Sequence, residues 1–473
     1  MGSNPRLRAL LLFFLGLFLT FASVHARAQG TFGDSAMYNP LIRSFLNAGM
    51  WNTPAYDLLK HLVHIAPHRL SGSQDAARAV AWVQQSMLSL KFEKVHQESI
   101  TVPHWVRGKI ETARILGRHP YPLEVCALGK SVATPAQGIA AEVVEVHSLA
   151  EAKALGTKGK GKIIFFNRPM DATLMDTFEA YENSVDQRGG GAIAAASVGG
   201  VAALVRSMTM RNDRVPHTGV MGYVDSIAKV PAAAVSLVGA DTLSARIRRS
   251  PHLRVRLVLT CRTLPDAPSA NVMGQITGSE FPNEIIVISG HVDCWDKGEG
   301  AVDDGSGVVQ ALEALRLIKS LGLHPKRTIR AVGFMNEENG SRGGIGYARN
   351  PARTGERHIA AIESDRGGFT PRGFFYQVPQ NTPPPAPRLL PALGQISAGY
   401  IRPGFSGVDI LPLVDIGVPG FGLDVDSQRY FDYHHSDNDR LSVINPRELE
   451  LGAIAEALLG YILAEGGLQS VSP

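Results

Sequence analysis

The chain has 473 residues, with 47 Lys and Arg against 43 Asp and Glu and a formal charge of +4. That length is too great for one ordinary core and points to two or three domains. So small a charge, with no basic run, gives no reason to expect a nucleic-acid partner.

The chain opens on a targeting pattern. Arg6 and Arg8 precede an apolar run from Ala9 to Ala22, and Ala26-Arg27-Ala28 offers an A-x-A cleavage site before Gln29. This is the layout of a cleavable signal peptide over residues 1–28, and the run is short for a membrane span. The mature protein is expected to be periplasmic or secreted, with no membrane span. Only Cys126, Cys261 and Cys294 are present, and an odd number cannot all pair within one chain. Export permits a Cys126–Cys261 bridge; three buried free thiols are the alternative.

The first structured segments read as helices. Tyr56–Val63 carries Leu58, Leu59, Leu62 and Val63 at helical spacing, and Asp75–Leu88 repeats the pattern with Ala79, Val80, Trp82, Val83 and Met87. Ser71 and Ser73 stand where caps of the second helix are needed. Strand-like runs follow at Lys94–Val102 and Lys109–Leu116. Composition then shifts near Cys126. Residues 127–260 are rich in Gly, Ala and Val with short strand-like runs, Gly189–Gly191 reads as a flexible turn, and no cluster of metal-ligand types occurs there. This stretch reads as a compact β-rich module inserted into a larger domain.

The larger domain resumes at Ala270–Ile276. An amphipathic helix is expected between Gly305 and Gly322, with Val308, Leu312, Leu315 and Ile318 on one face and Gly322 and Pro325 as its stop. Strand, helix, strand is the parallel crossover unit. Pro379–Pro391 reads as a loop, 408–423 as an apolar segment ending at Asp424, and Pro446–Leu463 as a last helix. The fold class is α/β: a mixed, largely parallel twisted sheet with helices on both faces.

Chemistry gathers at the ends of three apolar runs. Ile285–Ser289 ends at His291 and Asp293, Ile329–Phe334 at Glu337 and Glu338, and Ile359–Ile362 at Glu363 and Asp365. In an open parallel sheet the carboxyl ends of the strands line one crevice, where ligands bind. Asp293, two residues from His291, is placed to hold the second ring nitrogen of a metal-binding imidazole. Asp303 and Asp304 follow His291 by twelve and thirteen residues, at a helix start. Asp303 suits a carboxylate bridging two metals, and Asp304 suits equally a helix cap. Of the adjacent Glu337 and Glu338, one binds metal and the other takes a proton from water. His434 and His435 lie in a dense polar loop, and spacing does not choose between them. His291, Asp303, Glu338, Asp365 and one late His supply three carboxylates and two imidazoles. Two Zn²⁺, these carboxylates and a bridging hydroxide sum to zero charge, and N/O ligands without thiolate suit catalytic zinc.

These residues resemble the co-catalytic zinc exopeptidases, the group of bacterial leucyl aminopeptidase and glutamate carboxypeptidase. The resemblance rests on HRLSGS (68–73), VPHWVRG (102–108), GHVDCWDKGEGAVDDGSG (290–307), LGLHPKRTIRAVGFMNEENG (321–340), ESD (363–365) and YFDYHHSDND (430–439). It implies two zinc ions per chain, held by His291, Asp303, Glu338, Asp365 and His435. His435 is chosen because it stands four residues before Asp439. Asp303 is then the bridging ligand, Glu337 the general base acting on the attacking water, and His434 a substrate-side group. A cis Asp303–Asp304 peptide, a homodimer and a protease-associated domain over 125–262 are also implied, with 29–124 and 263–473 forming the catalytic domain. The expected activity is hydrolysis of dipeptides or short peptides with free ends, with Asp409 a candidate partner for a substrate amine. An aminopeptidase on longer peptides is the second expectation. A metal-free binding protein on the same fold and a glutaminyl cyclase are the others.

Overall fold

The computed structural model describes residues 33–378 and 393–466. The signal segment 1–28 and the loop expected at Pro379–Pro391 lie outside the described residues.

Three helices come first: α1 (Gly33–Gly49), α2 (Pro54–Ile65) and α3 (Gln74–Ser89). In α2 the residues Ala55, Leu59, Leu62 and Val63 make the buried stripe. Ser73 caps α3 by accepting the Ala76 N–H at 3.0 Å, whereas Ser71 turns away toward the active centre. The long strand β1 (Glu93–Val106) follows.

A second unit comes next, built of β2 (Glu111–Ile115), β3 (Tyr121–Leu123), β4 (Val125–Ala127), β5 (Ile139–Val146), β6 (Ile163–Phe166), β7 (Ala202–Arg206), β8 (Ala232–Val235) and β9 (Arg254–Leu259). Its helices are α4 (Leu149–Ala154), α5 (Thr177–Ser197) and α6 (Leu237–Arg249). These strands form one eight-stranded sheet in the order β3-β2-β9-β5-β6-β7-β8-β4. β5, β6, β7 and β8 run parallel, so the unit is α/β at its centre rather than simply β-rich. Gly189–Gly191, read from sequence as a turn, lies inside α5. The reason is close packing. A Cβ on Gly191 would stand 3.2 Å from the Phe166 ring, and one on Gly190 3.0 Å from Leu149. The sheet also takes in residues 111–123, ahead of the boundary expected at 125.

The chain then returns through β10 (Arg262–Ile276), β11 (Phe281–His291), α7 (Ser306–Ser320), β12 (Arg327–Phe334), α8 (Arg342–Arg349), β13 (Arg357–Glu363), β14 (Pro371–Gln377), β15 (Ile401–Pro403), α9 (Leu411–Asp415), β16 (Gly420–Val425) and α10 (Pro446–Gly466). The main sheet has eight strands in the order β1-β10-β12-β11-β13-β16-β14-β15. Its centre, β12-β11-β13-β16, is parallel. Alternation sorts the strand residues onto the two faces. Ile286 and Ile288 join the core with Val309, Leu312 and Leu458 of α7 and α10, while Ile285 and Val287 join Tyr347 and Leu413 of α8 and α9. Helices therefore cover both faces. The helix α7 is buried nearly all round rather than along one stripe, because α1, α2 and α10 pack over its outer side. Gly322, at φ +66°, ends it in the left-handed region.

The two units meet at the Trp105-Val106-Arg107 segment. Trp295, from the loop after β11, inserts into the second core with its ring 6.3 Å from that of Trp105. Arg107 donates to Asp296 at 2.6 Å and to the Ala127 carbonyl at 2.6 Å. Cys126, Cys261 and Cys294 are all buried free thiols. No helix of the described residues is long and apolar enough to cross a membrane.

Candidate active site

The parallel register of β11 and β12 sets His291 beside Phe334, and that of β11 and β13 sets Ser289 beside Glu363. Residues just beyond these strand ends therefore converge. After β12 the chain turns at Asn336, at φ 78°, a conformation Asn tolerates better than most residues. Glu337 and Glu338 follow in a single helical turn. The peptide between Asp303 and Asp304 is cis.

Asp303 occupies the middle. Its Oδ1 lies 3.2 Å from His291 Nε2, and its Oδ2 lies 3.2 Å from His435 Nε2. His291 Nε2 is also 3.3 Å from Asp365 Oδ1, and His435 Nε2 is 3.1 Å from Glu338 Oε2. Two sets of nitrogen and oxygen atoms thus share one carboxylate: His291, Asp303, Asp365 on one side and His435, Asp303, Glu338 on the other. His434 stacks on His435 at 3.5 Å between ring centres, but its Nε2 stays 3.8 Å from Asp303.

The donor set fits a metal. His291 Nδ1 lies 2.9 Å from the Asp293 carbonyl, which can only accept, so Nδ1 carries the proton. The other ring nitrogen, Nε2, then faces carboxylate oxygens, buried and without a hydrogen-bond partner. A metal ion between these groups would take the place of a proton on that nitrogen. Burial disfavours charge on His291, but Asp365 and Asp303 outweigh it and hold its pKa well above the ordinary value. Burial likewise raises Asp303, yet His291 and His435 outweigh it and hold Asp303 well below the usual carboxylate range. Glu337 and Glu338 are pushed well up, by burial first and then by carboxylate neighbours, including Asp365 for Glu337 and Asp303 for Glu338. Carboxylates and imidazoles without thiolate are zinc ligands of the catalytic kind.

Two sequence expectations land differently, those for Asp293 and Asp409, and a third, the cap reading of Asp304, is met. The carboxylate of Asp293 does not touch the imidazole; its backbone carbonyl does. Asp293 Oδ1 instead accepts the N–H groups of Asn336 at 2.6 Å and Glu337 at 3.1 Å, so it aims the Glu337 turn. Asp304 is a helix cap, accepting from His291 N at 3.0 Å and Gly307 N at 2.9 Å. Asp409 is 1% exposed and lies behind the pocket wall rather than in it. Glu363 lines the cavity and accepts the Ile410 N–H at 2.9 Å, and burial pushes it up to about 8.

Other residues hold the site together, and the spacing of acids and histidines did not reveal them. Arg69 is fully buried and donates to the carbonyls of Val292 at 2.5 Å, Glu299 at 2.8 Å and Gly300 at 2.6 Å. It pins both ends of the loop between His291 and Asp303. Ser71 donates to Asn339 at 2.8 Å and accepts from Asn336 at 2.8 Å, which steadies the Glu337 turn. Both belong to the HRLSGS motif, the available signal. From the second unit, His217 Nδ1 donates to the His434 carbonyl at 2.7 Å, and the Thr218 N–H donates to the His435 carbonyl at 2.9 Å. His435 sits at φ 59°, which these contacts help to hold.

Above the acids lies a cavity of about 380 Å³. One wall is Phe178, Tyr181 and Arg188 of α5, and the other includes Arg366, Tyr430 and Phe431. The fold and this pocket, acids and imidazoles below an enclosed cleft at the carboxyl ends of a mixed sheet, define a zinc exopeptidase. The profile of peptidase family M28 matches residues 271–461. Bovine carboxypeptidase Q is 34% identical over 435 residues, covering 91% of this chain and 90% of that protein. A peptidase M28 precursor from Shewanella amazonensis has a crystal structure with TM-score 0.84 and 33% identity, covering 91% of this chain and 97% of that one. An Aneurinibacillus aminopeptidase shares the fold, with TM-score 0.60 at 21% identity over 89% of this chain and 95% of its own. The chain belongs to peptidase family M28.

Proposed function

We propose that the protein is a two-zinc exopeptidase of the carboxypeptidase Q kind, hydrolysing dipeptides or short peptides with free ends. The observation that carries this is the position of Asp303, whose two oxygens each face a different imidazole. His291 and Asp365 would hold one ion, His435 and Glu338 the other, and Asp303 both. Zinc, when bound, supplies Lewis acidity to a carbonyl and lowers the pKa of water.

The chain's own groups do the rest. Glu337, held by Asp293 through its backbone, takes the proton of the attacking water and passes it to the departing amine. A pKa pushed up by burial suits that two-way duty near neutral pH. The aromatic walls receive an apolar side chain, and the small volume favours a short substrate. The same reading includes a protease-associated domain over about 125–262 as the roof, export after cleavage behind Ala28, and a homodimer.

The experiment is zinc content of the mature protein together with hydrolysis of a dipeptide panel, for wild type and Glu337→Gln. The expected result is about two zincs per chain in both and activity in wild type alone, abolished by chelation. Failure to take up zinc on reconstitution, or an active Glu337→Gln, overturns the proposal. Tripeptides then separate cleavage at the carboxyl end from cleavage at the amino end.

A further inference from the structure

If the pocket holds a short peptide, some group must recognise a charged peptide end, and one cation on its wall makes no hydrogen bond to a described residue. Three cationic side chains line the cavity: Lys130, Arg188 and Arg366. Arg188 is engaged, donating to the Tyr181 hydroxyl at 2.6 Å, and Lys130 is partly exposed. Arg366 is different. Its guanidinium lies between two rings, 4.0 Å from the centre of Phe178 and 4.5 Å from that of Phe375. It makes no hydrogen bond to a described residue. Its one ion pair is with Asp424 at 3.7 Å, too long for a hydrogen bond. That carboxylate is already claimed on its other oxygen by the Tyr400 hydroxyl and by Arg402 at 3.4 Å.

A guanidinium that is 12% exposed, flanked by two aromatic rings and without a hydrogen bond to a described residue keeps donors to offer a carboxylate, in a field it shares with Asp424, Asp176 and Asp365. Its position sets the register. Arg366 is the residue after Asp365, and it lines the same cavity as Asp303, Glu337, Glu338 and Asp365. In a carboxyl-terminal residue the free carboxylate stands one residue from the scissile carbonyl. We propose that Arg366 binds the free α-carboxylate of the substrate's last residue and so directs cleavage to the carboxyl end. This rests on the peptidase reading above and adds the end specificity to it. The aromatic pair that holds the guanidinium comes from both units, Phe178 from α5 and Phe375 from β14.

The test compares a dipeptide of apolar residues with its carboxyl-terminal amide. Wild type is expected to prefer the acid by at least roughly tenfold in kcat/KM, mainly through KM. Arg366→Gln is expected to raise KM for the acid on the order of 10- to 100-fold, at least tenfold more than any loss on the amide. Arg366→Lys keeps the charge without the fork and recovers part of the preference. A second measurement needs no turnover: calorimetric titration of the product amino acid and its amide into chelator-treated protein. Wild type binds the acid better, and Arg366→Gln loses that discrimination. Equal hydrolysis of acid and amide by wild type overturns the proposal and leaves the peptidase intact. So do equal losses on both substrates in Arg366→Gln, which would mark a structural role. Hydrolysis of neither substrate by wild type strikes at the peptidase reading on which the proposal stands.

Discussion

Asp439 holds the backbone of Asp303: its Oδ2 accepts the Asp303 N–H at 3.1 Å, and its Oδ1 accepts the Val302 N–H at 2.6 Å. One carboxylate thereby fixes the peptide that carries the proposed bridging ligand, from a position four residues past His435. Groups of this supporting kind are worth about 10- to 100-fold in metal affinity or activity. Asp439→Ala is expected to weaken zinc binding by that factor in competition with a chromogenic chelator. Asp439→Asn, which keeps one acceptor oxygen, loses less.

The two adjacent histidines separate by geometry. His435 Nε2 is 3.2 Å from Asp303 and also meets Glu338, while His434 Nε2 is 3.8 Å from Asp303 and has Tyr181 and Tyr430 around its ring. His435→Ala is expected to lose one zinc per chain by elemental analysis. His434→Ala is expected to retain its metal and to change KM.

Arg69 reaches three carbonyls with one buried side chain. Arg69→Met fills similar space but leaves those acceptors unpaired. A loss of about 2–4 kcal/mol is expected in denaturant unfolding, from the cost of unsatisfied buried groups. Zinc affinity falls with it, because the loop between His291 and Asp303 is released.

Far from the pocket, Glu450 of α10 governs a pH dependence. Burial pushes it up to about 9 from an ordinary 4.5, with the carboxylate of Glu313 adding to the effect. Between those values the folded protein keeps a proton that the unfolded chain has released. The contribution to stability is full below about 4.5, declines as the pH rises above it, and is gone once the pH passes about 9. Glu450→Gln is expected to be more stable than wild type at pH 8 and to flatten the fall between pH 5 and pH 9, read from urea midpoints.

Much of the pocket was visible in the chain because strand periodicity ends just where the acids and His291 begin. The sheet's carboxyl edge then does the gathering, so position along the chain translates into position in space. What stayed hidden depends on direction rather than order. Asp293 stands at the expected place, yet its side chain points to the Glu337 turn while its carbonyl meets the ring. The glycine run of α5 looks like a turn, but at Gly190 and Gly191 the lack of a side chain is itself the packing device, letting the helix approach Leu149 and Phe166. Arg366 follows a metal-ligand type in an unremarkable loop, and only the fold brings the two rings to its flanks.

The bonds from His217 and Thr218 to the backbone of the histidine pair reach beyond geometry. A descendant that shed the second unit would still spell out every acid and imidazole of the centre, yet nothing would grip the carbonyls of the segment that delivers the last of them. The second unit therefore helps to hold the backbone of that segment. Grafting a relative's second unit onto this chain to alter its diet of peptides has to bring the 217–218 loop along, or rebuild the histidine segment to suit the newcomer.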